Sequence, residues 1–298
     1  MEKGQSAKPF LKWAGGKGQL LKEIQRYYPF GEEITKYAEP FIGGGAVLFD
    51  VLNRYSLQAV YISDINPELV NTYKVIRDEV GTLVDCLAKF QGEYLGLEHS
   101  QRKAYYLDKR QQFNQMKADP QAGQEVQRAA LMIFLNKTCF NGLYRVNRQG
   151  GFNVPMVDYK NPCICDAENL NNVSGLLQNV EIVLGDYTQS QRFIDNHTFV
   201  YLDPPYRPLT STANFTAYTT DTFDDAAQIA LAKFVDGIHQ KGAKVLVSNS
   251  DPKNADQNDH FFDEIYKAYT IERVAASRMI NSNSTRRGKI QELLIRNF

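Results

Sequence analysis

A buried strand that must stop at two prolines constrains this chain more than any other stretch. Thr198–Leu202, TFVYL, is a short apolar run with two β-branched residues and two aromatics, the pattern of a buried strand. Asp203-Pro204-Pro205-Tyr206-Arg207 follows at once. Two adjacent prolines lack donor N–H groups and fix φ, so the backbone cannot continue in a central ladder. Asp203 and Tyr206 therefore stand at the carboxyl end of a strand, the rim on which open α/β sheets bind ligands. An ordinary strand-ending turn satisfies the same residues, so the weight of the motif depends on the rest of the chain.

Other strand ends carry ligand-type residues. Residues 36–39 read as a strand running into Phe41-Ile42-Gly43-Gly44-Gly45, with a helix from Ala46. Successive glycines allow close backbone approach and present N–H groups at a helix start, although the dinucleotide G-x-G-x-x-G spacing is not met. A second strand over 59–63 leads into Asp64-Ile65-Asn66-Pro67, where Asn66 is placed to cap a helix over 67–76. Asp64 lies about twenty residues past the glycines, where an acidic side chain accepts hydrogen bonds from ribose hydroxyls. That points to a nucleoside cofactor without selecting among NAD, ATP and S-adenosylmethionine; a simple cap is the alternative. Asp186 follows a third strand over 180–184 and either faces the cofactor's adenine end or caps a helix over 189–194. Near the start, PFLKWAGGKGQL sets Lys17 among Gly15, Gly16 and Gly18, but no Ser or Thr follows the lysine and the phosphate-loop spacing is absent. Trp13, the only tryptophan, reads either as a core aromatic or as a platform against a cofactor, and 20–28 as a helix.

The middle of the chain differs in character. Apolar spacing predicts helices over 82–94, 101–116 and 124–137. Then 137–160, KTCFNGLYRVNRQGGFNVPMVDYK, predicts two short strands over 143–146 and 151–154 around Asn147-Arg148-Gln149-Gly150, with Leu143 and Phe152 exposed. Arg and Asn suit base edges and an apolar tip can wedge between bases; a polar surface hairpin is the plain alternative. Formal net charge is zero, yet 102–160 holds ten Lys or Arg against four Asp or Glu, which suits either a nucleic-acid surface or a solvated helical face. Beyond the proline motif, a Thr/Ser-rich segment over 207–223 suggests a lid. Helices over 224–240 and 261–266, strands over 243–248, 270–274 and 291–296, and a basic turn over 277–289 complete the pattern.

Four cysteines, with Cys163 and Cys165 two apart and the four histidines scattered, predict neither a metal site nor a disulfide framework. No run of about eighteen apolar residues is present and the first residues lack the apolar core of a signal peptide, so the expectation is a cytoplasmic protein.

The blocks PFLKWAGGK (9–17), EPFIGGGAV (39–47), ISDINPELV (62–70) and VYLDPPY (200–206), in this order, resemble the Dam family of DNA adenine-N6 methyltransferases, α group, GATC type. FNGLYRVNRQGGFNVP (140–155) resembles its DNA-recognition hairpin, and ANFTAYT (213–219) and the tail over 284–292 also agree. The resemblance implies an α/β, Rossmann-like methyltransferase sheet of seven strands with an inserted helical and β-hairpin recognition domain: 1–79 and 161–298 catalytic, 80–160 inserted. It implies S-adenosylmethionine as cofactor, S-adenosylhomocysteine as product and double-stranded DNA as partner, with the enzyme acting as a monomer. Trp13, Lys17, Phe41, Gly43, Gly45, Asp64, Asp186 and Asp203 are the implied cofactor residues. Asn141, Leu143, Arg145, Asn147, Asn153 and Pro155 fall on the hairpin, with Lys160, Arg286 and Arg287 as phosphate contacts. Val157-Asp158 stands where members commonly carry a basic pair, which predicts a missing backbone contact.

The chemistry can be argued on its own. The lone pair of adenine N6 is delocalised into the ring. Acceptors at Asp203 and the Pro204 carbonyl favour a more nucleophilic nitrogen, and Tyr206 can stack on an extruded base. Neither a cysteine nucleophile nor a metal is needed. Cytosine N4 is an amine of the same kind, and a catalytically silent DNA-binding relative would share the fold, so both stand as alternatives.

Overall fold

The computed structural model describes residues 6–207, 223–277 and 289–298. Arg286, Arg287, the 213–219 run and most of the basic turn and tail lie outside the described residues. Seven strands form one sheet: β1 (Lys36–Glu39), β2 (Ala59–Asp64), β3 (Val180–Leu184), β4 (Thr198–Leu202), β5 (Lys244–Ser250), β6 (Thr270–Ser277) and β7 (Lys289–Arg296). Their spatial order is β3-β2-β1-β4-β5-β7-β6. The first five are parallel, and β7 runs antiparallel between β5 and β6. Chain order reverses between β1 and β4, so a crevice opens outside their carboxyl ends. The glycine turn leaves β1 and Asp203-Pro204-Pro205 leaves β4, so both border it.

Side-chain alternation sends successive strand residues to opposite faces, and both faces are covered, as a parallel sheet requires. Tyr37, Ile62 and Phe199 join one apolar cluster; Ala38, Tyr61 and Val200 join the other. On the first face lie α1 (Leu21–Ile24), α2 (Ala46–Arg54), α3 (Pro67–Asp78) and α7 (Ala167–Leu177). The same cluster continues without a break into α4 (Val80–Gly96), α5 (His99–Ala118) and α6 (Glu125–Thr138). The helical insertion thus shares a core with the sheet. On the second face α8 (Asp225–Gln240) and α9 (Phe261–Ile265) bury Leu231, Val235, Ile238 and Phe262.

Three expectations are corrected. The helix over 20–28 is broken into short turns around the four residues of α1. Tyr28 is extended (ψ 112°), as the residue before a proline must be, and that stops the helix short. The hairpin contains no continuous strands; its arms meet only at bridges between Cys139 and Met156 and between Val146 and Phe152. Side chains replace the ladder. Asn114 accepts from the Phe152 N–H at 2.7 Å and donates to its carbonyl, while Asn147 Oδ1 accepts from Gln149 and Gly151 N–H. The helix expected over 189–194 is a 3-10 turn, Tyr187–Arg192. No helix among the described residues is long and apolar enough to cross a membrane.

Candidate active site

Asp203 follows β4 directly, and its Oδ1 receives two donors: Lys17 Nζ at 2.7 Å and Ser248 Oγ at 2.9 Å. Desolvation pushes its carboxyl above the usual aspartate value, and Lys17 and Ser248 hold it back. Asp203 Oδ2 and the Pro204 carbonyl have no donor among the described residues. Both acceptors belong to the turn that leaves β4 at the switch in strand order, Asp203 half-buried and Pro204 buried. Tyr206, one turn further, lies with its hydroxyl between Lys17 Nζ (2.7 Å) and Glu292 Oε2 (2.6 Å), and the ammonium is 4.6 Å from its ring centroid. Ser248 is positioned in turn by Tyr201 at 2.9 Å.

The glycine turn is shaped around Trp13. Gly43 and Gly45 have φ of 46° and 72°, which side chains rarely adopt. A Cβ on Gly43 or Gly44 would lie 2.9 Å from Trp13, and one on Gly45 would lie 2.5 Å from the Tyr73 hydroxyl. Asp64 binds the turn to the next helix: Oδ2 accepts from Gly43 N–H at 3.2 Å and Oδ1 from Asn66 N–H at 2.9 Å. Burial raises its pKa against these bonds. Asn66 caps α3 through Glu68 and Leu69 N–H, with Pro67 at the first helical position. Phe41 stacks on Tyr187 at 5.4 Å. Beside Asp64, Ile65 and Leu184 remain exposed on the rim, large apolar side chains at the end of paired strands. Asp186 is exposed and caps the following turn through Thr188 N–H and hydroxyl, so the capping alternative describes its Oδ1.

The hairpin packs against the segment that carries Trp13, whose ring stacks on Tyr144. Arg145 donates from Nε to Asn153 Oδ1 at 2.8 Å and stays exposed, as do Asn141, Pro155 and Lys160. Leu143 is half-buried. Phe152, expected outside, is buried against Phe113 and Tyr144. The exposed apolar side chain is instead Phe140, next to Asn141, whose φ is 54°. Asn147 turns its oxygen onto the hairpin's own backbone, leaving only its amide nitrogen for an outside partner. Three of the ten basic residues of 102–160 are committed internally: Arg128 to buried Glu68, Lys117 to Tyr144 and Gly150, and Arg102 to the carbonyls of Leu95, Leu97 and Lys160. The charge surplus therefore overstates the surface available to a polyanion. Asp158 pairs with His99 at 2.6 Å.

A family model for the D12 class of N6 adenine-specific DNA methyltransferases matches residues 13–280. The chain belongs to this class. The type II methyltransferase M.MjaIII of Methanocaldococcus jannaschii is 48% identical over 98% of the chain and 99% of its own length. The type II methyltransferase M1.LlaDCHI of Lactococcus lactis subsp. cremoris is 38% identical over 98% and 95%. A DNA adenine methylase of Escherichia coli K12 is 35% identical over 96% and 93%. The coarse reading of the sequence is thereby established: a Rossmann-like methyltransferase fold with an inserted region, acting on adenine N6 in DNA with S-adenosylmethionine.

The residues present fit that cofactor. The turn at Gly43 and Gly45 leaves backbone where a side chain would intrude, Asp64 retains acceptor capacity on both oxygens, and Ile65 and Leu184 offer apolar cover for a base. Among the described residues no group of His, Cys, Asp and Glu could hold a metal. Sequence reasoning missed Ser248, Glu292, Glu39 and Phe140. Glu39 and Glu292 stand in the 39–47 and 284–292 blocks and Ser248 lies within a strand, but nothing in the local sequence names the partner of any of the three. Phe140 was visible only as an aromatic before Asn-Gly.

Proposed function

We propose that this methyltransferase acts on an adenine extruded from double-stranded DNA, in the sequence GATC, with Asp203, Pro204 and Tyr206 around the base. The observation that carries this is the pair of acceptors, Asp203 Oδ2 and the Pro204 carbonyl, that no donor among the described residues occupies. An exocyclic amino group has two hydrogens to give, and one acceptor for each draws the nitrogen away from planarity and frees its lone pair. When bound, S-adenosylmethionine supplies an electrophilic methyl group. Asp203 Oδ2 holds an N6 hydrogen beforehand and takes the proton that the methylated nitrogen sheds. Lys17 and Ser248, both on Oδ1, keep the carboxylate oriented without competing for Oδ2. The Tyr206 ring offers a stacking surface for the extruded base. Trp13, Lys17, Phe41, Gly43, Gly45, Asp64 and Asp186 are assigned to the cofactor side.

On the DNA side, Arg145 braced by Asn153 has the geometry for guanine O6 and N7. We assign exposed Phe140 to the gap left in the stack, together with Leu143. Asn141, Asn147, Pro155 and Lys160 border this surface, with Arg286 and Arg287 assigned to phosphates. We assign the DNA-contacting unit to 80–160 and read the enzyme as acting as a monomer in a bacterial cytoplasm. Incubation with S-adenosylmethionine and mixed-sequence DNA, followed by mapping of methylated bases, tests this: N6-methyladenine confined to GATC is expected. N4-methylcytosine, or methyladenine in another context, overturns the assignment.

A further inference from the structure

Glu292 is the one carboxylate of β7 that reaches the reaction centre, and it does so through a tyrosine. It stands opposite Ser250 of β5 and Val274 of β6, is 8% exposed, and accepts the Tyr206 hydroxyl at 2.6 Å. The same phenolic oxygen receives Lys17 Nζ at 2.7 Å. Lys17 is itself only 4% exposed, and its three hydrogens have three acceptors: Tyr206 Oη, Asp203 Oδ1 at 2.7 Å and the Gly15 carbonyl at 3.0 Å. A continuous line therefore runs carboxylate, phenol, ammonium, carboxylate, from the last strand to the strand that bears Asp203.

We propose that Glu292 is a positioning residue for methyl transfer, fixing Tyr206 as the stacking surface for the extruded base and sharing Lys17 with Asp203. A phenol held only through its ring can tilt and slide. One whose hydroxyl donates to a buried carboxylate and accepts from a buried ammonium has its ring plane set at both ends. Glu292 also balances charge. Lys17 lies between two carboxylates, so its field on Asp203 is moderated by a second negative group two bonds of hydrogen away. Without Glu292, Lys17 draws more fully on Asp203 and weakens that carboxylate as an acceptor for the amino group. Both effects fall on transfer and leave the cofactor and duplex surfaces intact. The proposal rests on the base-extrusion reading above.

The test is a double-mutant cycle of Glu292→Gln and Tyr206→Phe, read in single-turnover methyl transfer and in the fluorescence of a duplex carrying 2-aminopurine at the mapped target position. Glu292→Gln is expected to slow transfer on the order of tenfold, the scale of one charge-assisted hydrogen bond, with cofactor and DNA affinities near wild type. It is also expected to raise the 2-aminopurine signal, because a loosened Tyr206 quenches the extruded base less. In the Tyr206→Phe background, Glu292→Gln is expected to cost clearly less than in wild type, because only its charge beside Lys17 remains to be lost. Cofactor titration by Trp13 fluorescence shows which variants are folded, and Glu292→Asp, which keeps the charge, should recover part of the rate. Additive losses, or a Glu292→Gln enzyme equal to wild type in rate and fluorescence, overturn the proposal. A wild-type protein that methylates no adenine overturns the functional reading and this inference together, whereas additive losses in an active enzyme overturn the inference alone.

Discussion

Trp13 stacks on Tyr144, with ring centroids 5.7 Å apart and planes at 25°. Trp13 also lies against Gly43 and Gly44, and Tyr144 belongs to the hairpin. A second tie runs parallel to it: Asn136 donates to the carbonyls of Lys12 and Gly142 and accepts from the Lys12 N–H. The glycine turn and the hairpin are therefore one packed unit. Replacing Tyr144 by Leu keeps apolar bulk and removes the stack. We expect it to weaken cofactor binding although Tyr144 lies outside the glycine turn, and to change cofactor and duplex affinity together, by roughly 1 kcal/mol or more. Trp13 is the sole tryptophan, so its fluorescence reports both titrations. Unchanged cofactor affinity, with and without DNA, would contradict the linkage.

Arg145 and Arg148 are both exposed on the hairpin, but only Arg145 is braced by a neighbour, Asn153. A braced guanidinium suits a base edge and an unbraced one suits a phosphate. Arg145→Ala is expected to cost about 1–3 kcal/mol on the target duplex and to relax discrimination at one base pair. Arg148→Ala should weaken binding to all duplexes alike and lower the salt slope by about 1. Fluorescence anisotropy on target and scrambled duplexes across salt concentrations distinguishes them. Equal losses on both duplexes for Arg145→Ala would assign it to the backbone.

Cys139 begins the hairpin but is buried, and burial pushes its thiol up to about 12. At pH 8 only about one molecule in ten thousand carries the thiolate there. Cys163 is exposed. Brief treatment with iodoacetamide should therefore label Cys163 and spare Cys139, as read by peptide mass, and Cys139→Ala should retain methyl transfer. Rapid labelling of Cys139 in the folded protein would show that the hairpin base opens.

The strand ends were legible because their chemistry is local. Pro204-Pro205 must stop a ladder, three glycines must turn, and Asn66-Pro67 must start a helix, whatever surrounds them. What closes the site was not legible. Glu292 meets Tyr206 across 86 residues and Ser248 meets Asp203 across 45, and neither the tail that holds Glu292 nor the strand that holds Ser248 names its partner. The hairpin was misread for a related reason. A unit this short has no periodicity to distinguish Phe152 from Phe140. Asn114, which replaces its ladder bonds, comes from a helix 38 residues earlier.

Glu39 ends β1 beside the crevice, 3% exposed, and accepts the Tyr37 hydroxyl at 2.7 Å. Burial raises its pKa well above the ordinary 4.5, and the nearby Asp203 charge raises it further, against the bonds from Tyr37 and Leu48. The folded protein then holds a proton that the unfolded chain releases above pH 4.5. Between that pH and the folded pKa the native state binds more protons than the unfolded state, so stability falls as pH rises. Asp64 and Asp203 are shifted in the same direction and steepen the fall. Glu39→Gln keeps the carbonyl that Tyr37 needs and removes the proton. Its effect on stability should therefore grow more favourable with rising pH, by about 2–4 °C in melting temperature for each kcal/mol relieved. Calorimetric melts of both proteins from pH 4.5 to 8 measure it. A variant whose melting temperature runs parallel to wild type across that range would show that Glu39 does not carry the proton.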